Sequence, residues 1–423
     1  MAAKKTTDSR SDPGLPGLRA IPQRWLVVMA TLFLVPWILI AAIWLKPAGS
    51  TVIDTGTPDP FITTRTGSWG QLALMPIVIS PPMELVFTDW GFMRRPTWFF
   101  PGADADMVSQ ALQSAGVSAS DAARLGAQAR FEPRIRGVIL SPETAWVRSL
   151  TPETRARIYR VLAGSELNVD QSQAFRFRGT RLEEWLSPDL VSPRIRQIIQ
   201  PLVYRHGSHM FFSDVSLVQA EINSDDELRR LGKALLQQPT LMAYITITRE
   251  DDINMLVEYW GRAGRRTEIR PLLESLARSG PNESMDITHL LPPFAQEHLY
   301  RYPQLSPAEL QKHTVANCLW TALNFFRPEP DDRFMDDATA IRTLREDYYI
   351  VESEFQLGDI VAFLDETGNL FHAAVHIADD LVFSKNGTSV LAPWVLMSLD
   401  DVKDYYRWHS EDIRLVYHRE IGF

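Results

Sequence analysis

A run of apolar side chains without a single charge extends over residues 25–45. A helix that crosses the hydrocarbon core of a bilayer needs about 20 such residues. Trp25 and Trp44 stand near the two ends of the run, where interfacial tryptophans are common. The pattern predicts a single transmembrane helix over residues 25–45. A cleaved signal peptide is the alternative, and the length of the apolar run argues against it.

Positive charges are distributed unevenly about this run. The basic residues before it are Lys4, Lys5, Arg10, Arg19 and Arg24. After Lys46 the next basic residue is Arg65. Because basic segments stay on the cytoplasmic side of a membrane, we expect residues 1–24 to be a cytoplasmic N-terminus. The bulk of the chain is then expected in the periplasm, attached to the inner membrane by one helix.

Two further segments separate this run from the C-terminal quarter. Residues 46–102 are rich in proline, glycine and tryptophan, which predicts a linker and a mixed segment. Residues 103–290 carry apolar stripes at helical spacing, over residues 154–162, 195–204, 225–236 and 253–260. Start signals of a hydroxyl residue followed by proline and an acid occur at Ser141, Thr151 and Ser187. The pattern predicts a mainly α-helical domain of unknown function.

The polarity pattern around Cys318 predicts the start of a helix. Leu319, Ala322, Leu323 and Phe326 recur at helical spacing after it, which places Cys318 in the first turn. Free backbone N–H groups and the positive end of the helix dipole lie at that position, and both favour a thiolate over a thiol. We therefore expect Cys318 to be a nucleophile.

Strand patterns follow the predicted helix. Gly358-Asp359 leads into an apolar segment at residues 360–364, and further strand-like segments cover residues 371–377, 381–383 and 413–418. Turn-forming residues separate the first three segments, so they predict an antiparallel meander. His372 opens its second strand.

A helix that begins with cysteine, followed by a meander whose second strand begins with histidine, resembles the NlpC-type branch of the papain-like cysteine peptidases. The resemblance covers residues 300–423. It implies a thiolate–imidazole pair of Cys318 and His372 that cleaves amide bonds, most often in cell-wall peptides. The family holds the imidazole with a polar residue about a dozen positions further on, which implies Asn386 as the third catalytic residue, with Ser384 as the fallback.

The chain departs from this family pattern at two positions. His376 stands where the family usually has tyrosine, and Asn317 stands where many members have aspartate. Asn317 has two interpretations that the sequence leaves open. Its amide could donate to a substrate oxyanion together with the Cys318 N–H, or it could cap the helix.

The spacing of His372 and His376 also fits two zinc ligands on one face of a helix. Phe371, Val375 and Ile377 favour a strand instead, so we expect no metal and no cofactor.

Composition narrows the remaining choices. The net charge of −9 argues against nucleic-acid binding, and the single cysteine excludes an internal disulfide. The predicted fold class is α+β: a transmembrane helix, a mainly helical middle domain and a papain-like C-terminal domain.

The first functional hypothesis is a membrane-anchored cysteine hydrolase that cleaves an amide bond in peptidoglycan stem peptides. It would need a peptide or cell-wall substrate and the membrane as partners. A papain-like lipid acyltransferase or thioesterase is one alternative. The other is an inactive tethered scaffold or sensor, whose helical region would bind a protein partner.

Overall fold

The computed structural model describes residues 63–86, 95–179, 181–207, 209–280, 283–303, 316–387, 389, 391–407, 409–410 and 412–422. The predicted transmembrane helix at residues 25–45 and the basic segment before it lie outside these ranges. Among the helices that the structure describes, none is long and apolar enough to cross a membrane. The predicted fold class is corrected accordingly: the described residues form an α+β fold without a membrane-spanning helix.

The first half of the fold alternates short strands and helices. In chain order, its elements are β1 (Thr63–Gly67), β2 (Gly70–Ile79), β3 (Trp98–Phe100), α1 (Ala105–Ser114), α2 (Ala119–Gln128), β4 (Arg130–Glu132), β5 (Gly137–Leu140), α3 (Thr144–Ser149), α4 (Pro152–Ala163), α5 (Val169–Ser172), β6 (Phe175–Arg178), α6 (Leu182–Trp185), α7 (Pro193–Ile199), β7 (Tyr204–His206), β8 (His209–Phe212), α8 (Val215–Gln219), α9 (Asp225–Leu235) and β9 (Gln238–Thr246).

The second half contains the predicted catalytic elements. In chain order, they are α10 (Ile253–Trp260), α11 (Arg266–Ser279), β10 (Ser284–Asp286), α12 (Pro293–His298), α13 (Cys318–Asn324), α14 (Asp337–Glu346), β11 (Tyr348–Val351), β12 (Ile360–Leu364), β13 (Leu370–Ala378), β14 (Leu381–Lys385), β15 (Trp394–Ser398), α15 (Leu399–Tyr406) and β16 (Arg414–Glu420).

The middle of the chain contains the predicted helices and, in addition, short strands that the sequence did not predict. Two three-stranded sheets lie in it, with strand orders β3-β5-β4 and β6-β8-β7. Their strands are three or four residues long, too short for an alternating pattern to stand out. The helices themselves are where the stripes predicted them, at α4, α7, α9 and α10.

The predicted helix starts were correct in part. Thr151 caps α4 through its side chain, with Pro152 in the first turn, as predicted. Near Ser141 the helix begins only at Thr144, after Glu143, and Ser187 begins a turn. A hydroxyl residue before proline therefore marks a helix start only where an apolar stripe follows.

The described residues form two large groups of buried side chains. One lies within residues 98–235, and the other combines β2 with residues from 243 onward. The first, which we call the N-terminal core, includes Trp98, Tyr159 and Phe212. The second, which we call the main core, joins Leu72 of β2 and Trp260 of α10 to Phe383 of β14. The boundary expected at residue 290 lies inside the main core, because α10 to α12 pack with the C-terminal elements.

The first sheet of the main core is joined directly to the C-terminal sheet. It has the order β1-β2-β9-β10. The Thr240 hydroxyl on β9 donates to the Leu396 carbonyl at 2.9 Å and accepts from the Leu396 N–H at 3.0 Å. These bonds satisfy backbone groups at the edge of β15, which would otherwise be unpaired.

The C-terminal sheet is antiparallel and six-stranded, with the order β11-β16-β12-β13-β14-β15. It confirms the predicted meander, since β12, β13 and β14 are neighbours in chain order. Helix α13 packs on one face of this sheet within the main core, and α15 packs on the other face, against Val361, Phe363 and Val382. Each strand of the meander therefore presents alternate side chains to two different helices.

The buried ion pair between Arg155 and Asp214 anchors α4 in the N-terminal core. The Arg155 side chain is fully buried, and its guanidinium also donates to the Val147 carbonyl at 2.7 Å. Replacing Arg155 with methionine leaves a buried carboxylate without its cation. We expect the free energy of unfolding in urea to fall by about 3–5 kcal/mol.

The matched control is Arg124→Met. Arg124 pairs with Asp121 on the surface, where both side chains are about 40% exposed. That change should cost less than about 1 kcal/mol. Equal losses in the two variants would show that the buried pair does not anchor α4.

Candidate active site

Cys318 is the first residue of α13, as the sequence predicts. The helix begins here because Asn317 caps it: the Asn317 side-chain oxygen accepts from the Trp320 N–H at 2.8 Å. Leu319, Trp320 and Leu323 are buried in the main core and hold α13 against the sheet. Cys318 itself is partly exposed.

Both the oxygen and the nitrogen of the Asn317 side-chain amide form hydrogen bonds. Besides the cap, its amide nitrogen donates to an Asp337 carboxylate oxygen at 2.7 Å. Of the two interpretations that the sequence left open, the contacts favour the helix cap. A substrate oxyanion would then depend on the Cys318 backbone N–H.

The sulfur of Cys318 lies where two strands of the sheet separate. The ladder between β13 and β14 begins at Val375↔Phe383 and does not extend to Ala373. Hydrogen bonding from the backbone N–H groups of Ala373 and Leu319 favours the thiolate. Ala373 directly follows His372, so the sulfur lies beside the backbone of the predicted base.

Burial nevertheless raises the pKa of the Cys318 thiol above its ordinary value, and the hydrogen bonds to the sulfur only moderate the effect. Asp337 acts in the same direction as burial, and Lys385 acts against it. The position of Cys318 at the helix N-terminus predicted the opposite direction. In the resting site the group is a thiol.

Ser384 and Asn386 hold the imidazole of His372 through two successive hydrogen bonds. His372 Nε2 lies 3.0 Å from the Ser384 hydroxyl, which donates to the Asn386 side-chain oxygen at 2.7 Å. Since the only hydroxyl proton of Ser384 is used on Asn386, Nε2 carries a proton and donates it to Ser384. Nδ1 is therefore the basic nitrogen, and it is buried without a hydrogen-bond partner among the described residues.

Ser384, the fallback choice, is thus the residue that contacts the ring. Asn386, the first choice, lies one step further along the chain of hydrogen bonds. Its amide nitrogen is 2.9 Å from the Met397 sulfur. Both residues belong to one arrangement because side chains two apart on a strand share a face.

The His372 ring is enclosed by aromatic side chains. Tyr406, at the end of α15, stacks on it with 4.4 Å between ring centroids, and the Phe363 ring lies at 5.2 Å. Burial lowers the pKa of His372 to about 3, so the ring is neutral near pH 7. Tyr406 was not found from the sequence, because its contact depends on how α15 folds back over the sheet.

The two faces of the sheet separate the candidate residues. His372, Ser384 and Asn386 share the face that packs against α15, whereas Ala373 and Lys385 lie on the face that α13 covers. No hydrogen bond joins the Cys318 sulfur to His372 Nδ1. The structure therefore brings the thiol to the strand that carries the imidazole, with the ring directed to the far face.

Lys385 was not among the site residues predicted from the sequence. Its side chain is fully buried, and Nζ donates to the Gly387 and Ser389 carbonyls at 2.9 and 3.1 Å. The signal that could have found it is the alternation of β14. Lys385 lies two residues after the core residue Phe383, on an otherwise apolar face.

The zinc interpretation of His372 and His376 required a helix, and residues 370–378 form strand β13. Among the described residues, no group of three or more histidine, cysteine, aspartate or glutamate side chains is placed to hold a metal ion. His376 is 1% exposed, packs near Phe355 and Tyr417, and has no hydrogen-bond partner on either ring nitrogen.

The Gly358-Asp359 pair has a structural explanation. Gly358 has φ of +90°, and a Cβ added there would lie 2.0 Å from the Phe326 ring. Asp359 is fully buried and receives two hydrogen bonds of 2.8 Å from Arg419. The pair fixes the start of β12 and does not contact Cys318.

No family model matches this chain, and no curated protein or solved structure is significantly similar to it. The resemblance to NlpC-type peptidases accordingly depends on the motif residues of the sequence alone.

The buried His376 gives a pH-dependent stability with a defined sign. Burial lowers its pKa to about 4, whereas an unfolded histidine has a pKa of about 6.5. Below pH 6.5 the unfolded chain binds a proton that the folded chain does not, so stability is lost as the pH falls. Between pH 7.5 and pH 5.5, protonation of this histidine in the unfolded chain should lower the free energy of unfolding by about 1.4 kcal/mol.

Replacing His376 with phenylalanine should remove that part of the pH dependence. The measurement is the free energy of unfolding in urea at both pH values. His289→Phe is the control, since this exposed ring remains in water and the pH difference should stay that of the unchanged protein. If His376→Phe and the unchanged protein lose the same stability, His376 is not neutral in the folded state.

Proposed function

We propose that the protein is a cysteine hydrolase that cleaves an amide bond with Cys318 as nucleophile and His372 as general base. One observation carries the proposal. The imidazole of His372 is held through Nε2 by Ser384 and Asn386, its basic Nδ1 has no hydrogen-bond partner among the described residues, and the backbone of the next residue, Ala373, contacts the sulfur. A buried base with one nitrogen fixed and the other free fits the part of a proton acceptor.

The acyl group of the substrate is transferred twice, first to the Cys318 sulfur and then to water. The Cys318 sulfur attacks the amide carbon and its proton passes to His372 Nδ1. The Cys318 N–H donates to the oxyanion, the C–N bond breaks, and His372 returns the proton to the leaving amine. Water then attacks the thioester with His372 as base, which releases a carboxylate and restores the thiol.

Because the thiol pKa is raised and the imidazole pKa is lowered, the resting pair is neutral. Proton transfer therefore accompanies attack on the substrate and does not precede it. The hydrogen bond from the thiol to Nδ1 has to form when substrate binds, and catalytic hydrogen bonds commonly tighten at that stage. The substrate class comes from the resemblance alone: peptidoglycan stem peptides.

The test compares the full chain with its Cys318→Ala and His372→Ala variants on purified cell-wall fragments. Products are followed by mass, and cleavage in ¹⁸O-labelled water identifies the new carboxylate. We expect cleavage by the unchanged protein, a loss of about 10³-fold or more in Cys318→Ala, and a loss of about 10²–10⁴-fold in His372→Ala.

Ser279→Ala is the control, because this hydroxyl on the last turn of α11 contacts only its own helix. Equal cleavage by Cys318→Ala would reject the nucleophile. Absence of cleavage by the unchanged protein would reject stem peptides as the substrate.

A further inference from the structure

A fully buried charged side chain, Lys385, lies on the face of the sheet that α13 covers. Lys385 pairs with Trp394 of β15 in the sheet register, and the Trp394 indole donates to the Thr321 hydroxyl on α13 at 3.0 Å. Its Nζ also lies 5.6 Å from the centre of the Trp394 ring. The lysine is therefore fixed beneath the helix that Cys318 begins.

The Cys318 sulfur lies at the same part of the sheet. It lies at Ala373, at the point where β13 separates from β14. Continuing the Val375↔Phe383 register by two residues sets Ala373 opposite Lys385. The sulfur and the Lys385 side chain therefore lie at facing positions on the same face of the sheet, and each favours the charged form of the other.

We propose that the buried Lys385 ammonium is the charge partner that stabilises the thiolate of Cys318. Two backbone carbonyls and the face of an indole hold the ammonium in place without supplying a negative charge. A buried cation without an anion is costly, and a thiolate on Cys318 would provide the anion. The proposal rests on the proposed function, to which it adds the role of Lys385. The ionisation of Cys318 can nevertheless be measured without any substrate.

The electrostatic directions agree with this geometry. Burial lowers the pKa of Lys385 to about 7, and Cys318 raises it. Lys385 in turn lowers the pKa of Cys318. The other titratable side chains around the sulfur are Asp337 on α14, which opposes the thiolate, Tyr406 on α15, which burial keeps neutral, and His372 on β13.

The ionisation of Cys318 can be measured by alkylation of the whole protein, because Cys318 is its only cysteine. Iodoacetamide alkylates a thiolate with loss of iodide, so the mass of the intact protein reports the ionisation of Cys318 alone. The second-order rate is measured from pH 6 to pH 10. In Lys385→Met the midpoint should move upward by about one pH unit, which makes alkylation at pH 8 about tenfold slower. Lys385→Arg should keep the original midpoint.

Two further variants separate charge from structure. Lys385→Gln removes the charge but keeps an N–H donor for the carbonyls, and it should shift the midpoint as Lys385→Met does. Lys403→Met removes a half-buried lysine of α15 that pairs with Asp400, and it should leave the profile unchanged. A site that has merely loosened would expose the sulfur, which would raise the plateau rate and lower the midpoint towards the ordinary thiol pKa.

An unchanged midpoint in Lys385→Met or Lys385→Gln, in protein that unfolds at the usual urea concentration, would overturn the proposal. The result does not depend on hydrolysis. If the cell-wall assay fails while the midpoint shifts, the pairing of Lys385 with Cys318 stands and the hydrolase assignment falls.

Discussion

The antiparallel pairing of β12 with β13 is the constraint on which the site depends. It sets Phe363 opposite His372, and it continues past the strand as the His376 N–H donates to the Asp359 carbonyl at 2.8 Å. Because side chains alternate along a strand, a slip of one residue would exchange the faces of His372 and Ala373. The buried Asp359–Arg419 pair and the close fit of Gly358 under Phe326 fix this register from one end.

The same alternation divides the chemistry of the site in two. On one face, Tyr406 and Ser384 orient a neutral imidazole. On the other face lie α13, which begins with the thiol, and the buried Lys385 side chain. The place where the two sets meet is the gap between β13 and β14, where the missing ladder bonds leave the Ala373 N–H free to interact with sulfur. An interrupted ladder in the middle of a sheet is unfavourable unless another group satisfies the backbone, and here the cysteine does so.

The sequence predicted the features whose cause is local. Cys318 begins a helix because Asn317 caps it, and the meander of β12 to β14 follows from apolar strand-forming segments separated by turn-forming residues. The short strands of the middle region lack such a pattern and were missed. The proton affinity of the thiol was predicted with the wrong sign, because the helix terminus is visible in the sequence and the burial around the sulfur is not. Tyr406 and Lys385 act through contacts between distant segments, which no local pattern contains.

The electrostatics of the site decide which charged pair it can hold. A thiolate with an imidazolium on His372 would place the positive charge among Phe363, Tyr406 and Ser384, where burial lowers the pKa of the ring to about 3. A thiolate with an ammonium on Lys385 needs no such charge, since the pKa of Lys385 stays at about 7 and each partner favours the charged form of the other. The protons of such a pair leave in two steps whose pKa values belong to the pair and not to either residue. In the proposed pairing the lysine stabilises the thiolate when it forms, and the histidine stays neutral in the resting site.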